Sequence, residues 1–448
     1  MSTQAYHFIG IGGIGMSGLA KMLLQQNHVV SGSDISPSYV TEYLIEAGAS
    51  IAFGHAKEHV REKATVVYST DISQDNPELM QAKEYGCPVW HRSDLLAHIM
   101  KPYTTLLVAG THGKTTTTAL LSHVFCSAGK DPSFAVGGMM HGLQCNAKLG
   151  TSDFFIAEAD ESDGTFLKYP YSAAIVTNID TDHLAHYGNW NALVEAFKAF
   201  IAKASDPELL FYCKDDQTLA SLDIAGTSYG FSEGSEYQAV HFRQKEFSIC
   251  FDVVHKDKTY KDVTVSLTGW HNARNALAVF ALSLRLGLDE MAIRHALTSF
   301  AGVKRRMEKK GEVKGVAVFD DYAHHPTEIH VTVKALRLAV GKRRLIAVFQ
   351  PHRYSRMRFL LKNFAETFDD ADVVLVTDLF TAKEAPVPEV TSESIYEEIK
   401  RHYPNKTYFI PRSVLTEGIA EMLRPGDVVL TMGAGDITKV GPELCEMI

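Results

Sequence analysis

The sequence predicts an α/β protein of three domains. Two observations carry that expectation. Short apolar strands alternate with amphipathic helical segments along the whole chain, which is the rhythm of parallel sheets joined through helices. The rhythm also restarts near Lys101-Pro102 and near Gly302, and 448 residues are too many for one hydrophobic core. The expected domains are 1–101, 102–302 and 303–448.

In the first domain, YHFIG is a strand running into a glycine turn. Met16, Leu19, Ala20 and Leu23 then fall at i, i+3, i+4 and i+7, the stripe of a helix packed on a sheet. HVVSGSD, ATVVYST and CPVW supply three more strands. The turn itself, HFIGIGGIGMSG, has the spacing G-x-G-x-x-G between strand and helix. Glycines there let the backbone approach a pyrophosphate at a helix N-terminus. Gly10, Gly12 and Gly15, with Asp34 at the end of the next strand, suit a nicotinamide or flavin dinucleotide. The same turn equally suits another nucleotide diphosphate.

The central domain opens with the strand TTLLVAG and the loop THGKTTTT. Backbone amides at such a strand-to-helix turn wrap phosphates, Lys114 reaches their charge, and Thr115 can ligate Mg²⁺. The loop departs from the general P-loop, which has glycine where this chain has Val108; here the glycine is Gly110. FFIAEADESD places Glu158 and Asp160 just past a strand, and AAIVTNIDTDHLAHY does the same with Asn178, Asp180, Asp182 and His183. Each cluster alone suits a solvated loop or helix cap. Beside a phosphate loop both suit Mg²⁺, which keeps waters and takes one or two protein ligands. A hairpin turning at His255–Lys258 and the helix HNARNALAVFALSLRLG complete the domain.

In the third domain GVAVFDDYAHH, RRLIAVFQPHR, ADVVLVTDLF and GDVVLTMGAGD each run from an apolar strand into polar residues. TEIHVTVKALRLA and MRFLLKNFAETF are the helices between them. Parallel sheets place ligands at the carboxyl ends of their strands. Asp321, Tyr322, His324 and His325 stand at one such end, before Pro326 at a helix start, where His325 also suits a cap. His352, Arg353 and Arg356 leave the next, and arginine forks bind carboxylates and phosphates.

Composition narrows the function classes. Hydrophobic residues make up 46% and charged residues 22%, with a net charge of −9, which argues against a nucleic-acid partner. The start MSTQAYHF lacks a signal-peptide pattern, and no apolar run reaches about 18 residues, so no membrane association is expected. Six scattered cysteines fit a reducing, cytoplasmic setting. A monomer or weak homodimer is expected.

GTHGKTTTT, EADESD, TNID-x-DH, HNARNALA, DDYAHHPTEI, QPHRYSR and the terminal GAGDI, in that order, resemble the Mur ligases of peptidoglycan synthesis. With the glycine turn, the resemblance runs from Phe8 to Ile437. It implies an N-terminal Rossmann-like domain, a central P-loop ATP-binding α/β domain and a C-terminal Rossmann-like domain. The enzyme would use ATP and Mg²⁺ to activate the carboxylate of UDP-N-acetylmuramate as an acyl phosphate, which the amine of L-alanine attacks. QPHRYSR matters most for the subfamily that the chain resembles, because the related murein-tripeptide ligase shares DD-aromatic-x-HHP but differs there.

The family's positions carry over as follows. Gly12, Gly13, Ile14, Gly15 and Met16 would hold the UDP-sugar, with Asp34, Ser69 and Thr70 lining the same crevice. Gly110, Thr111, His112, Gly113, Lys114, Thr115 and Thr116, with Asn272, Asn275, Arg306 and Asp321, would bind ATP. Thr115, Glu158 and His183 would hold the metal, while Tyr322, His324, Arg353 and Arg356 would hold the amino acid. The catalytic set would be Lys114, His183, His324, Arg353 and Arg356. Lys114 would compensate phosphoryl charge, the arginines would grip alanine's carboxylate and the acyl phosphate, and His183, His324 or a water would take the amine proton.

Two stretches depart from the family pattern, Gly164-Thr165-Phe166 and Phe380-Thr381-Ala382-Lys383-Glu384, and the second is left outside the catalytic set. Because acyl phosphates hydrolyse, domain closure is expected. A dehydrogenase would have no use for Lys114, Thr115, Glu158 or the C-terminal clusters. A non-catalytic nucleotide-dependent regulator would not need DDYAHH or QPHRYSR.

Overall fold

The structure is a computed structural model that describes residues 3–364 and 366–448. It divides into two compact units, one running up to Tyr229 and including Ala278–Ala296, the other formed by Gly230–Leu277 and Leu297–Ile448.

The first unit holds two sheets. The N-terminal one is parallel and five-stranded, ordered Ser50–Phe53, Val29–Asp34, Ala5–Ile9, Thr65–Tyr68, Val89–His91. The strand order reverses beside Ala5–Ile9, so the glycine turn lies at the switch point of the sheet. Ser50–Phe53 was not among the strands read from sequence: it is a four-residue edge strand with no buried residue to mark a period. The helix Ile14–Gln25 buries Met16, Leu19, Ala20 and Leu23 as its spacing requires, and also Ser17, Gly18 and Met22. The hairpin Ser133–Met140 and Cys145–Lys148 packs on this helix, with Asn146 and Ala147 closing over Gly18. Asn146 Nδ2 donates to Ile14 O at 2.8 Å, and the Leu149 amide donates to Gln25 Oε1 at 3.1 Å.

The second sheet of this unit orders its strands Thr227–Gly230, Leu210–Cys213, Ala173–Val176, Thr104–Ala109, Phe154–Ala159, Ser133–Met140, Cys145–Lys148. All pairs are parallel except the last. Register pairs Ala109 with Ala159 on one side and with Val176 on the other. The phosphate loop, the EADESD stretch and the TNID stretch therefore leave the sheet side by side.

The second unit contains the antiparallel strands Tyr237–Lys245, Ser248–His255 and Lys258–Val265, with the hairpin turn at His255–Lys258. Its six-stranded sheet runs Glu308–Val313, Val316–Asp321, Val428–Met432, Leu345–Phe349, Val373–Val376, Thr407–Phe409. Only the edge strand Glu308–Val313 is antiparallel. Phe319, Leu336, Phe349 and Val374 fill one face, and Val318, Ile346, Val348 and Leu444 the other. Burial on both faces explains why these strands read as unbroken apolar runs. The helix Pro326–Val340 starts with proline, and His325 caps it by accepting from the Thr327 amide. MRFLLKNFAETF is less helical than its pattern predicts: the α-helix is Tyr354–Leu360, followed by a 3₁₀ turn at Leu361–Asn363.

All six cysteines are free thiols, and no helix among the described residues is long and apolar enough to cross a membrane.

A Cβ on Gly32 would lie 2.6 Å from Phe8 O and 2.9 Å from Ile11 Cδ1. Gly32→Ala is therefore expected to destabilise the protein by about 1–3 kcal/mol, seen as a lower urea midpoint at unchanged m-value. An unchanged midpoint would contradict this packing of Val29–Asp34 on the first strand.

Candidate active site

The glycine turn is held from behind by the end of the neighbouring strand. The amides of Gly10 and Ile11 both donate to Ser33 O at 2.9 Å, and that of Gly12 donates to Asp34 Oδ2 at 2.8 Å. Asp34 Oδ1 accepts from the Ile35 amide at 2.7 Å, so this carboxylate serves its own backbone. Gly13 is the N-cap of Ile14–Gln25 and provides no side-chain cap. Helix-start amides at Ile14, Gly15 and Met16 thus offer an anion site. Thr70 Oγ1 donates to Asp163 Oδ2 at 2.8 Å and pairs with His91 Nε2 at 3.1 Å, whereas Ser69 lends its carbonyl to the Ile72 amide.

Arg92 was not singled out in the sequence. Its guanidinium lies 3.3 Å from where a Gly15 Cβ would sit and 3.6 Å from Asp160 Oδ2. The strand-end rule finds it, because Arg92 directly follows the parallel strand Val89–His91.

The phosphate loop has the same construction. Gly110 has φ +132°, and a Cβ there would collide with Thr177 Oγ1. The Thr111 amide donates to Asn178 O at 3.0 Å and the His112 amide to Asn178 Oδ1 at 2.8 Å. Asp180 Oδ2 pairs with His112 Nε2 at 2.9 Å, and its amide donates to Thr111 Oγ1 at 2.9 Å. The TNID stretch is thus a brace for the loop. Gly113, at φ +83°, is the N-cap of Lys114–Ser127 with no side-chain cap. The amides free to wrap a phosphate are consequently those of the helix start, from Lys114 to Thr116, rather than those of Thr111 and His112.

Lys114 Nζ donates to Gly110 O at 2.7 Å, Thr111 O at 3.0 Å and Glu161 Oε2 at 2.6 Å, with Asp160 Oδ1 at 3.8 Å. Burial disfavours its charge, yet Glu161 and Asp160 hold the ammonium above the usual lysine range. Burial raises Glu161, which is fully buried, against the pull of Lys114. Its second oxygen, Oε1, is buried and accepts no hydrogen bond among the described residues, with His183 Nε2 at 3.7 Å. Glu158 accepts from the Gly137 amide at 2.6 Å and from Thr115 Oγ1 at 3.3 Å, and burial raises its carboxyl. Thr115 and Glu158 are therefore brought together, and His183 faces Glu161. Glu161 escaped the sequence reading because it lies beyond the end of its strand at Ala159, where alternation no longer places side chains.

The remaining expected residues belong to the second unit. Asn272 is the third residue of the helix Trp270–Arg285, not its cap. Its Nδ2 donates to Thr268 O at 2.9 Å, and Asn275 Nδ2 donates to Asn272 Oδ1 at 3.1 Å. Asp321 accepts from the Met307 amide at 2.6 Å and the Ala323 amide at 2.8 Å; burial pushes its carboxyl up to about 6 against the pull of Arg306. Arg305 and Arg306 lie 4.8 Å and 5.3 Å from the Tyr322 ring centre.

His324 Nδ1 pairs with Tyr322 O at 3.0 Å, and its ring centre is 6.2 Å from that of His352. His352 stacks on Phe380, and its Nδ1 accepts from Arg356 at 3.1 Å. Burial and the Arg356 charge push this imidazole down to about 3, so it is neutral at ordinary pH. Arg353, at φ +66°, donates its amide to Phe380 O at 2.9 Å and lies 3.9 Å from Glu384 Oε1. Glu384 also accepts from the Ser355 amide and hydroxyl at 3.0 and 2.7 Å. The segment Phe380–Glu384, left out of the expected catalytic set, therefore packs against it.

Three family descriptions match the chain in sequence: the Mur ligase family catalytic domain over residues 5–104, the Mur ligase middle domain over 108–283, and the Mur ligase glutamate ligase domain over 305–435. The UDP-N-acetylmuramate–L-alanine ligase of Protochlamydia amoebophila is 46% identical over 99% of this chain and 98% of its own length. The enzyme of that name from Anaeromyxobacter dehalogenans strain 2CP-C is 43% identical over 100% and 98%. Among solved structures, the UDP-N-acetylmuramate-alanine ligase MurC of Thermotoga maritima aligns with a TM-score of 0.85 at 28% identity, covering 99% of this chain and 98% of that one. With three matching domains in order and full-length relatives above 40% identity, the chain belongs to the Mur ligase family.

Proposed function

We propose that this protein is an ATP-dependent ligase that joins the carboxylate of UDP-N-acetylmuramate to the amine of L-alanine through an acyl phosphate, for peptidoglycan synthesis in the cytoplasm. The observation that carries the reading is the seat of Lys114. A charged ammonium is fixed by two loop carbonyls and Glu161 beside an uncapped helix start, where phosphoryl charge can be received. The choice of L-alanine and of the UDP-sugar rests on the full-length relatives.

On this reading, the amides of Ile14 to Met16 bind the UDP diphosphate, and Asp34 shapes the turn rather than touching uridine. That use of Asp34 also disfavours a dinucleotide enzyme, whose acid must face a ribose. The helix-start amides of Lys114, Thr115 and Thr116 hold the ATP phosphates, and Lys114 compensates charge as the γ-phosphoryl group moves to the carboxylate. Thr115 and Glu158 are hard oxygen donors set close together, the chemistry that suits Mg²⁺, and Glu161 offers a further carboxylate oxygen facing His183. When bound, Mg²⁺ supplies charge neutralisation at the phosphates. His183, expected among the metal ligands, stands next to that Glu161 oxygen.

In the second unit Asn272, Asn275, Arg306 and Asp321 serve the nucleotide, and Tyr322, His324, Arg353 and Arg356 serve alanine and the acyl phosphate. Neutral His352 holds Arg356 by accepting from it, which fixes the guanidinium for a substrate oxyanion.

The direct test is ADP release with L-alanine, L-serine and glycine side by side. Release is expected to require UDP-N-acetylmuramate, an amino acid and Mg²⁺ together, with L-alanine the best amine. Release without the UDP-sugar, or consumption of a nicotinamide cofactor, would overturn the reading. Lys114→Ala is expected to lower acyl-phosphate formation by at least about 10²–10³-fold, while calorimetric binding of UDP-N-acetylmuramate stays intact. Loss of both would contradict the division of the two anion sites.

A further inference from the structure

Beneath the glycine turn lies a fully buried carboxylate that none of the steps above uses. Glu78 sits in the first turn of the helix Pro77–Glu84, behind the N-cap Asn76. Its Oε2 accepts from Ser33 Oγ at 2.6 Å and faces His7 Nε2 at 3.3 Å. Its Oε1 accepts from the Ala56 amide at 3.2 Å, pairs with His59 Nδ1 at 2.8 Å and has His55 Nδ1 at 3.8 Å. These groups come from the strand Ala5–Ile9, the strand Val29–Asp34 and the segment after Ser50–Phe53. Burial opposes the charge, yet the hydrogen bonds from His7, Ser33 and His59 hold the carboxyl down at about 2. A buried carboxylate kept ionised is costly unless its donors are fixed around it. Here the carboxylate fixes the donors in turn.

Ser33 is the junction. Its hydroxyl donates to Glu78 and pairs with His55 Nδ1 at 2.9 Å, while its carbonyl takes the amides of Gly10 and Ile11. The next residue, Asp34, takes the Gly12 amide and lends its carbonyl to Gly54. Ser33 and Asp34 together thus hold three successive amides of the turn. We propose that Glu78 is a positioning residue for the UDP-sugar: through Ser33 it sets the geometry of the turn without touching the ligand. The inference rests on the reading of the turn as the UDP-sugar site.

The test uses the full chain as wild type, Glu78→Gln, Ser33→Ala and the double variant. UDP-N-acetylmuramate affinity is measured by calorimetry, the three KM values and kcat by ADP release, and Tm alongside. Each single change is expected to raise Kd and KM for the UDP-sugar on the order of tenfold, with kcat and the KM values for ATP and L-alanine unchanged. The double variant should bind no more weakly than Glu78→Gln, because the path from Glu78 to the turn runs through the Ser33–Glu78 hydrogen bond that both changes alter. A fall in Tm at wild-type Kd, a common rise of all three KM values, or a double variant weakened by the product of the single effects would overturn the proposal. If Glu78→Gln does not fold, Ser33→Ala decides alone, and an unchanged Kd overturns it. Failure of the wild type to bind UDP-N-acetylmuramate overturns the functional reading itself, before any variant is compared.

Discussion

A binding site made of backbone amides must be braced from behind, because its donors have nothing of their own to close upon. Most of what is distinctive in this structure answers that constraint. Gly13 and Gly113 each start a helix without a side-chain cap. In each case the end of an adjacent parallel strand supplies the missing support: Ser33 and Asp34 for the first turn, Thr177 to Asp180 for the second. Asp321 does similar work in the second unit by accepting from Met307 and Ala323. Residues that look like ligands on paper are, in several instances, what keeps the ligand-binding backbone in shape.

The second theme is charge held in readiness. Lys114 is paired with Glu161 in a nearly dry setting, an arrangement that gains little stability over an apolar pair. On the proposed reading its value is that the ammonium is already charged and desolvated when a phosphate arrives, so little reorganisation is left for the reaction. Asp160 extends the network to Arg92, while Asp163 reaches Thr70 and Lys168 reaches Asp94 at 2.6 Å. The two glycine turns of the first unit are thereby joined by polar contacts as well as by the hairpin packed on Ile14–Gln25.

The architecture was legible in the sequence because buried parallel strands and their crossover helices leave strong periodic marks. Met16, Leu19, Ala20 and Leu23 fell on the buried face as read, and the turn at His255–Lys258 joined the strands expected. Ser50–Phe53 was invisible because it is short and half exposed, and the helix at Tyr354–Leu360 ended early although the apolar spacing continued to Phe368. Within the site, the chemistry-bearing stretches could be found, but not the division of labour inside them. Nothing in EADESD says that Glu161 rather than Asp160 takes the shortest contact with Lys114, or that Asn178 is spent on the loop. Such assignments depend on side-chain directions past the strand end, which no periodicity encodes. Glu78 was missed for a related reason: it lies in an ordinary-looking helix start and acquires meaning only from what the fold sets opposite it.

The absence of a side chain at Gly18 has a wider meaning. A Cβ there would come within 2.8 Å of Ala147 Cβ, so the helix that begins at the first turn and the hairpin beside the second touch almost backbone to backbone. That contact makes the span between the two turns a fixed length. On the proposed reading the protein acts as a gauge: a sugar nucleotide anchored by its diphosphate presents its carboxylate to the second turn only if its own length matches. Discrimination among nucleotide substrates would then be settled by reach, before any group on the sugar is recognised.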